Sequence, residues 1–315
     1  MNTSASDVIH TLTRIKDYIR WGASRFVAAN IFLGHGVQTA LDESAALVLH
    51  TLGQPYDLPN VFLDSVLTLN ERQAVFEIIE RRINERKPSA YLTHEALFAG
   101  LAFYVDERVL VPRSPIAELI GNHFEPWIEP EQVLNVLDLC TGGGCIAIAC
   151  AYAFPEAQVD AADISADALA VARINVEKHE LGEQVTLCRS DLFSQLPRKP
   201  YDIIVSNPPY VSLAEWRGLP AEFHAEPELG FKGGENGLDL VLRILAAAPD
   251  YLAEHGILVV EVGSSAQTLA DLCPEVPFCW LEFAKGGDGV FLLSAGQLHD
   301  YHSIFVHALS CQETA

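Results

Sequence analysis

Between residues 133 and 294, short apolar segments alternate with segments that have the spacing of helices, and this alternation restricts the fold more than any other feature. Repeated strand–helix–strand order favours a doubly wound α/β sheet that is parallel in its main part. The last two strands are joined only by a glycine-rich turn at 285–289, which favours an antiparallel hairpin and hence a mixed seven-stranded sheet. The predicted strands are 133–139, 158–162, 184–189, 201–206, 256–262, 278–283 and 290–294, and the predicted helices are 145–152, 165–178, 237–252 and 266–272.

The N-terminal part of the chain has a different pattern, because its apolar residues recur at helical spacing. We predict a small helical domain over 1–88, whose last helix begins near Asn70 as the N-cap and stops at Pro88. Short apolar runs between turn formers then predict a β-hairpin connector over 89–113. We predict that residues 114–315 form a third domain that contains the α/β sheet, with a first helix that starts near Pro115 and has Ser114 as its cap. A helical unit ahead of a catalytic domain is expected to recognise the partner.

The charge of the chain limits its partners. It has 42 acidic and 20 basic residues, which give a formal net charge of −22 at pH 7. Such a field repels nucleic acid and anionic membranes, so neither is expected as a direct partner, and a basic protein is the most natural macromolecular substrate. The sequence has neither a signal-peptide pattern at its start nor a long uninterrupted apolar segment, so a cytoplasmic location is expected.

The cysteines and histidines do not have metal-ligand spacing. The histidines are scattered, and most of the seven cysteines lie within or beside apolar runs, so we predict free buried thiols and no metal site. Three acidic residues, Glu222, Glu226 and Glu228, lie close together in sequence. They are either a solvated loop or a means of attracting a basic substrate. The cysteines predicted to be buried are Cys140, Cys145, Cys150, Cys188, Cys273 and Cys279.

The segment Asn207-Pro208-Pro209-Tyr210 ends the predicted strand 201–206. Both prolines have a fixed φ and lack a backbone donor, so the loop is stiff, and in an open α/β sheet ligands bind at such strand ends. The side-chain oxygen of Asn207 and the carbonyl of Pro208 can both accept hydrogen bonds from one planar NH2 group, while Tyr210 packs on its face. The segment therefore indicates an amide or amino nitrogen as the acceptor of a transferred group, although Asn and Pro are also frequent in ordinary turns.

A glycine-rich segment, 138–144, follows the first predicted strand of the sheet. Glycines at a strand-to-helix turn let the backbone approach a ligand closely. The segment lacks the Lys-Ser/Thr ending of a phosphate-binding loop and the full glycine spacing of a dinucleotide site. It therefore indicates a nucleotide-type ligand, although an ordinary tight turn has similar residues. The segment reads Asp138-Leu139-Cys140-Thr141-Gly142-Gly143-Gly144.

Two further acidic residues end the next two strands. Asp163 can accept hydrogen bonds from both hydroxyls of a ribose, although it also adjoins a helix N-cap. Asp191 is placed to accept from an adenine amino group, with Leu192 or Phe193 against the ring. These loops contain no Lys or Arg, which makes a phosphate-bearing cofactor a poorer fit. The three strand ends together predict S-adenosylmethionine as the cofactor.

These motifs resemble the class I S-adenosylmethionine-dependent methyltransferases with an Asn-Pro-Pro-Tyr motif, specifically the protein-(glutamine-N(5)) methyltransferases, over about residues 70–300. The resemblance implies a Rossmann-like fold. After Pro112-Arg113, members that modify release factors usually continue Pro-Glu-Thr-Glu, whereas this chain has Ser114-Pro115-Ile116-Ala117-Glu118. It is similar here to the branch that modifies ribosomal protein L-three. The resemblance also rests on 87–93, 98–113, the glycine loop, Asp163, Ser190-Asp191, Asn207 to Tyr210 and Gly233-Gly234-Glu235-Asn236-Gly237-Leu238.

The resemblance implies a role for each matching residue. The activity would be methylation of the side-chain amide nitrogen of a glutamine in ribosomal protein L-three. Leu192 stands where Trp is frequent, which puts only the stacking contribution in doubt. Implied catalytic residues are Asn207, Pro208 and Tyr210; cofactor-binding residues are Asp138, Cys140, Thr141, Gly142, Gly143, Gly144, Asp163, Asp191, Leu192 and Asn207; substrate-binding residues are Arg113, Asn207, Pro208, Pro209 and Tyr210.

Three other functions stay open at this point. Release factors could be the glutamine substrates instead. The same loop can hold the exocyclic NH2 of adenine in a nucleic acid, but the charge of −22 disfavours it. A cofactor-binding assembly factor that has lost catalysis is a third possibility, and the intact Asn-Pro-Pro-Tyr motif disfavours it.

Overall fold

The computed structural model describes residues 5–37, 39–284 and 286–313, and Lys285 of the predicted hairpin turn lies outside them. The chain forms two compact units. The first contains the residues up to Ala96 together with Pro220–Ala225, and the second contains Leu97–Leu219 and Glu226–Ala315. A short segment from the middle of the chain thus belongs to the N-terminal unit. The three-domain division at residues 88 and 113 stays a prediction.

The first unit is helical. Its last long helix, α4, begins one residue before Asn70, because Thr68 and Glu71 form a capping box; the predicted Asn70 cap was wrong. Buried apolar side chains from the helices, among them Tyr18, Phe26 and Leu47, form its core. The helices are α1 (Ala5–Thr11), α2 (Ile15–Ala28), α3 (Ala40–Thr51), α4 (Leu69–Glu85) and α5 (Ser89–Thr93), with a 3-10 turn at Asn60–Asp64.

A buried charge cluster lies within this first unit. Arg82 is 1% exposed, and its Nε donates to Glu43 Oε1 at 2.6 Å. Glu222, from the inserted segment, is also buried and accepts from the Arg86 guanidinium at 2.9 Å and from the Phe32 backbone N–H at 3.2 Å. Its carboxylate lies 3.9 Å from Arg82 Nη1. Charge pairing therefore holds Pro220–Ala225 to the helices of its unit.

The second unit contains a seven-stranded sheet in the order β5-β4-β3-β6-β7-β9-β8. The first five strands in this order, β5 to β7, are parallel to one another. Strand β9 is antiparallel to both of its neighbours, which confirms the predicted mixed sheet and its terminal hairpin. A separate two-stranded hairpin precedes it. The strands are β1 (Glu95–Phe98), β2 (Leu101–Tyr104), β3 (Asn135–Leu139), β4 (Gln158–Asp163), β5 (Val185–Arg189), β6 (Tyr201–Ser206), β7 (Leu252–Glu261), β8 (Cys279–Trp280) and β9 (Val290–Ser294).

Helices cover both faces of the sheet. Alternate residues of β6 pack into opposite apolar clusters, Ile203 and Val205 on one face and Ile204 on the other, so the strand is buried along its whole length. Among the described residues, no helix is long and apolar enough to cross a membrane. The helices are α6 (Ile116–Gly121), α7 (Cys145–Ala153), α8 (Ala166–Lys178), α9 (Leu213–Trp216), α10 (Asp239–Ala247), α11 (Ala266–Leu272), α12 (Ala295–Asp300) and α13 (His302–Glu313).

Three helix predictions differ from the structure. The predicted helix 237–252 ends at Ala247 and passes through a 3-10 turn into β7, which starts four residues before the predicted strand. Pro115, rather than Ser114, is the N-cap residue of α6. The C-terminal helices α12 and α13 were not predicted, although Ser294 and Gln297 form a capping box that marks the start of α12.

Candidate active site

The carboxyl ends of three neighbouring strands bring the predicted site segments together. In the parallel register, Leu139 of β3 lies beside Ala162 of β4 and Ser206 of β6. The Ser206 hydroxyl donates to the Leu139 carbonyl at 2.8 Å, and both residues are buried. The glycine loop, Asp163 and Asn207 therefore leave the sheet at adjacent positions, and the buried hydrogen bond ties the first loop to the third.

The glycine loop has a backbone that favours glycine. Gly142 and Gly144 have φ values of +55° and +80°, and Cys140 also has a positive φ of +59°. A Cβ added at Gly142 would meet no atom within 4 Å, whereas one at Gly144 would lie 3.3 Å from the Ala172 side chain. Gly144 thus allows the loop to pack closely on α8, while Gly142 faces open space that a ligand can enter.

Asp138, at the base of this loop, is fully buried. Its Oδ2 accepts hydrogen bonds from the Thr141 hydroxyl at 2.5 Å and from the Ala147 backbone N–H at 3.0 Å. Its Oδ1 is also buried and accepts from no residue in the described part of the chain. Burial raises the pKa of Asp138 to about 7. A buried acceptor without a donor fits the ammonium group of an amino-acid tail.

Asp163 is held by the backbone on both sides. Its Oδ2 accepts from Gly142 N–H at 2.9 Å and its Oδ1 from Ser165 N–H at 2.8 Å, while burial raises its pKa. Each carboxylate oxygen can accept more than one hydrogen bond. The backbone therefore fixes the orientation of the carboxylate and leaves it able to accept from two ribose hydroxyls.

The third predicted cofactor position has a partner that the sequence did not indicate. Asp191 Oδ1 pairs with the Arg243 guanidinium of α10 at 2.9 Å. Leu192 has a positive φ of +48° and packs with Phe193 in the core on one face of the sheet. The sequence contains no basic residue in the loop itself, but the neighbouring helix supplies one. The role of Asp191 at an adenine ring stays a prediction.

Tyr210 is the most constrained residue of the Asn-Pro-Pro-Tyr segment. Its hydroxyl donates to Glu261 Oε1 at 2.8 Å, and its carbonyl accepts from the Ser265 hydroxyl at 3.0 Å. A Cβ at Gly237 would lie 2.2 Å from the Tyr210 carbonyl oxygen, and one at Gly263 would lie 2.5 Å from its ring. The glycines therefore allow the backbone to enclose this tyrosine. Asn207, Pro209 and Tyr210 are each half-buried, and Pro208 is buried.

Glu261 was not predicted as a site residue. It is the last residue of β7, the strand next to β6, and is 5% exposed. The end of the predicted strand 256–262 was a usable signal, because neighbouring parallel strands end at the same edge of a sheet. Burial raises the pKa of Glu261, while hydrogen bonds from Ser114 and Tyr210 act in the opposite direction. Burial and the nearby Glu261 also raise the pKa of Tyr210, so its hydroxyl stays protonated and donates.

Arg113 forms an ion pair with Glu226. Its guanidinium donates to Glu226 at 3.0 Å and to the Val111 carbonyl at 3.1 Å, and it lies 5.6 Å from the centre of the Phe231 ring. Glu226 is buried and also accepts from Val111 N–H. The guanidinium of Arg113 is thus held by groups of the protein itself, and its substrate-binding role stays a prediction. The buried positions of Glu226 and Glu222 exclude the solvated acidic loop that the sequence allowed for these two residues.

The cysteines and the polar groups at this edge of the sheet bear on the kind of ligand that the site can hold. All seven cysteines are free, and Cys145, Cys150 and Cys273 are buried as predicted. Cys140, Cys188 and Cys279 are only partly buried, so the predicted burial was wrong for these three, and Cys311 is exposed. Within the ranges that the structure describes, no group of three or more His, Cys, Asp or Glu residues could hold a metal ion. The site offers carboxylates, backbone donors and an amide, which suit a cationic nucleoside ligand.

Comparison with known proteins relates this chain to methyltransferases. The family described as "Methyltransferase small domain" matches residues 122–218. The ribosomal protein uL3 glutamine methyltransferase of Francisella tularensis subsp. tularensis is 46% identical over 300 residues, 95% of this chain and 96% of that protein. The protein of the same name from Xanthomonas campestris pv. campestris is 49% identical over 298 residues, with the same coverage of both chains.

Among solved structures, the hMettl16 catalytic domain in complex with the MAT2A 3′UTR hairpin 6 has a similar fold. The TM-score is 0.51 at 17% identity, and the match covers 71% of this chain and 81% of that one. At this identity the likeness concerns the fold alone. It agrees with the Rossmann-like sheet described above.

Proposed function

Because the chain belongs to the family of ribosomal protein uL3 glutamine methyltransferases, we propose that it transfers a methyl group from S-adenosylmethionine to the side-chain amide nitrogen of a glutamine in uL3. The identity to those enzymes carries the substrate class, and the structural observation that supports transfer between two bound molecules is the buried Ser206–Leu139 hydrogen bond, which joins the strand ends before the Asn-Pro-Pro-Tyr loop and the glycine loop. A donor bound at one loop and an acceptor held at the other would be neighbours. The activity is accordingly expected in the cytoplasm, where ribosomal proteins are assembled.

The strand-end residues would divide the cofactor between them. The orphaned Asp138 oxygen would accept from the ammonium group, Asp163 from the ribose hydroxyls, and the open face of Gly142 would admit the ligand. S-adenosylmethionine supplies an electrophilic methyl group on a sulfonium, whose sulfur leaves as a neutral thioether. The backbone of the glycine loop would line the same cofactor site through Cys140, Thr141, Gly143 and Gly144.

The Asn-Pro-Pro-Tyr loop would act on the glutamine. A carboxamide nitrogen is a weak nucleophile because its lone pair is delocalised into the carbonyl group. Asn207 Oδ1 and the Pro208 carbonyl would each accept one of its N–H groups, orient the nitrogen and stabilise the positive charge that develops on it. As the new N–C bond formed and the C–S bond broke, one amide proton would be released to solvent.

The substrate proposal is tested by methylation of purified uL3. We expect RNA-free uL3 to gain one methyl group on one glutamine, at an initial rate that falls as salt is raised from low to moderate concentration. The reason is that a chain of net charge −22 attracts a basic protein, and salt screens this attraction over about 8–10 Å. Isotope-labelled cofactor and mass spectrometry of the peptide give the rate and the modified residue.

The same assay distinguishes the alternatives. Assembled large subunits should react more slowly than free uL3, because ribosomal RNA then covers the protein. Equal rates on both, without a salt effect, would contradict electrostatic capture before assembly. Preferential methylation of release factors would move the chain to the sister branch, methylation of RNA or DNA would support an adenine substrate, and no product on any of them would support loss of catalysis.

The cofactor proposal predicts a specific loss at Asp163. Asp163→Ala should weaken S-adenosylmethionine binding by about 1–3 kcal/mol, or about 5- to 150-fold in Kd, because two ribose hydroxyls would lose a charged acceptor. Titration calorimetry measures this directly. Asp160→Asn is the matched control: Asp160 lies on the same strand but pairs with Tyr201 and Lys199, so the affinity should not change. Wild-type affinity in Asp163→Ala would remove this residue from the site.

A further inference from the structure

A network of three residues within the second unit joins Tyr210, the last residue of the Asn-Pro-Pro-Tyr segment, to two buried residues, Glu261 and Ser114. Glu261 Oε1 accepts from the Tyr210 hydroxyl at 2.8 Å, and its Oε2 accepts from the Ser114 hydroxyl at 2.5 Å. Ser114 is 7% exposed and Glu261 is 5% exposed. Ser114 and Glu261 are 147 positions apart in the sequence. The network therefore joins the segment before α6, the end of β7 and the loop after β6.

Burying the Glu261 carboxylate at this position lowers the stability of the fold. Removal of its hydration disfavours the charged form, and an apolar side chain of similar size would avoid that penalty. The hydroxyls of Tyr210 and Ser114 each donate to a different oxygen of Glu261, and these two hydrogen bonds offset part of the desolvation penalty. The arrangement fixes the rotation of the carboxylate and, through it, the position of the Tyr210 hydroxyl.

The remaining parts of Tyr210 are also held. Gly263 lies against the ring, Gly237 lies against the carbonyl, and the Ser265 hydroxyl bonds to that carbonyl. A ring packed against a backbone and bonded at its hydroxyl has one orientation. Tyr210 follows Pro209 in the stiff loop, so its ring and the Asn207 amide are carried by the same short segment.

We propose that Glu261 is a positioning residue for methyl transfer: through the hydrogen bond from Tyr210 it holds the tyrosine ring as a fixed wall for the substrate carboxamide. Glu261 itself touches neither substrate nor cofactor in this arrangement. Ser114 supports it by fixing the second carboxylate oxygen. The inference rests on the proposed function, because it assigns the ring to the amide site.

The kinetic test is a double-mutant cycle on the uL3 assay. Glu261→Ala should lower kcat by about tenfold, because a misplaced wall disturbs the alignment of the reacting nitrogen, while the Kd of S-adenosylmethionine changes less than about twofold. Tyr210→Phe should cause a similar loss. The double variant should be no slower than about the slower single variant, because both changes break one hydrogen bond. Glu261→Gln should keep kcat within about threefold, since its amide oxygen still accepts from Tyr210.

Asp202→Ala is the matched control. Asp202 is a carboxylate of similar burial, 6% exposed, that accepts from two backbone N–H groups at the opposite end of β6. This variant should lower stability without changing kcat. Multiplicative losses in the double variant, or a Glu261→Gln enzyme as slow as Glu261→Ala, would overturn the positioning role.

A readout without substrate separates this inference from the proposed function. In NMR spectra with labelled tyrosine, Tyr210 is assigned by its absence in Tyr210→Phe. Its ring signals should shift and show faster ring reorientation in Glu261→Ala but not in Asp202→Ala. Unchanged Tyr210 signals in Glu261→Ala would contradict the inference even if uL3 is methylated. The opposite result is also informative. If the Tyr210 signals change in Glu261→Ala as expected but the wild-type protein does not methylate uL3, only the proposed function is contradicted.

Discussion

Asn207→Ala is expected to lower kcat about 10²-fold or more while the Kd of S-adenosylmethionine stays within about twofold. The substituted residue loses the side-chain acceptor that orients the glutamine nitrogen and stabilises its developing charge. Such an interaction is strongest in the transition state, so its removal lowers kcat rather than cofactor affinity. Single-turnover methylation of uL3 separates the chemical step from product release, and calorimetry gives the Kd.

Two comparisons make this experiment specific. Asn135→Ala removes a half-buried amide at the amino end of β3, away from the strand ends that form the site, and should leave kcat unchanged. Asn207→Leu keeps about the size of the side chain but removes the acceptor, which tests whether shape alone suffices, and we expect it to be as slow as Asn207→Ala. A near-normal turnover in Asn207→Ala would show that the side chain is not needed in the transition state and would remove it from the mechanism.

Arg82→Met is expected to destabilise the helical unit by about 3–5 kcal/mol. The substitution removes the cation that pairs with Glu43 at 2.6 Å, and the carboxylate of Glu222 lies 3.9 Å from the same guanidinium. All three side chains are at most 2% exposed, so the anions would remain buried with less compensation. Breaking a buried ion pair from one side is far more costly than replacing the whole pair by apolar residues.

Urea unfolding measures this loss. Because the chain has two compact units, two transitions are possible, and the change should appear in the transition that reports on the helical unit. The neighbouring residue offers the control: Arg81 pairs with Glu85 on the surface of α4 and is 54% exposed, so Arg81→Met should change stability by less than about 0.5 kcal/mol. Equal effects of the two substitutions would contradict the proposed importance of burial.

Strands and loops of the sheet were predictable because their determinants are local. The bounds of Tyr201–Ser206 and Ala266–Leu272 agree with the prediction, as does the start of the helix at Cys145. Apolar runs, glycines with positive φ and prolines act within a few residues. Capping residues were the signals that the prediction missed. The capping box at Thr68 sets the start of α4, which was predicted at the wrong residue, and the one at Ser294 starts α12, which was not predicted.

The sequence by itself determined that this is a mixed α/β methyltransferase fold of the uL3 glutamine methyltransferase family, and it placed Asp163 and Asn207 at strand ends. Periodicity suffices for the fold class and motif spacing for the strand-end positions, because parallel strands present their carboxyl ends at one edge. The family follows from the resemblance of the motifs and from the 46% and 49% identity to its members. Only the tertiary structure decided that Glu261 and Ser114 meet at Tyr210, and that Glu222 and Glu226 are buried in ion pairs. Their partners are distant in sequence, and whether a carboxylate is solvated or paired depends on which side chains packing brings beside it.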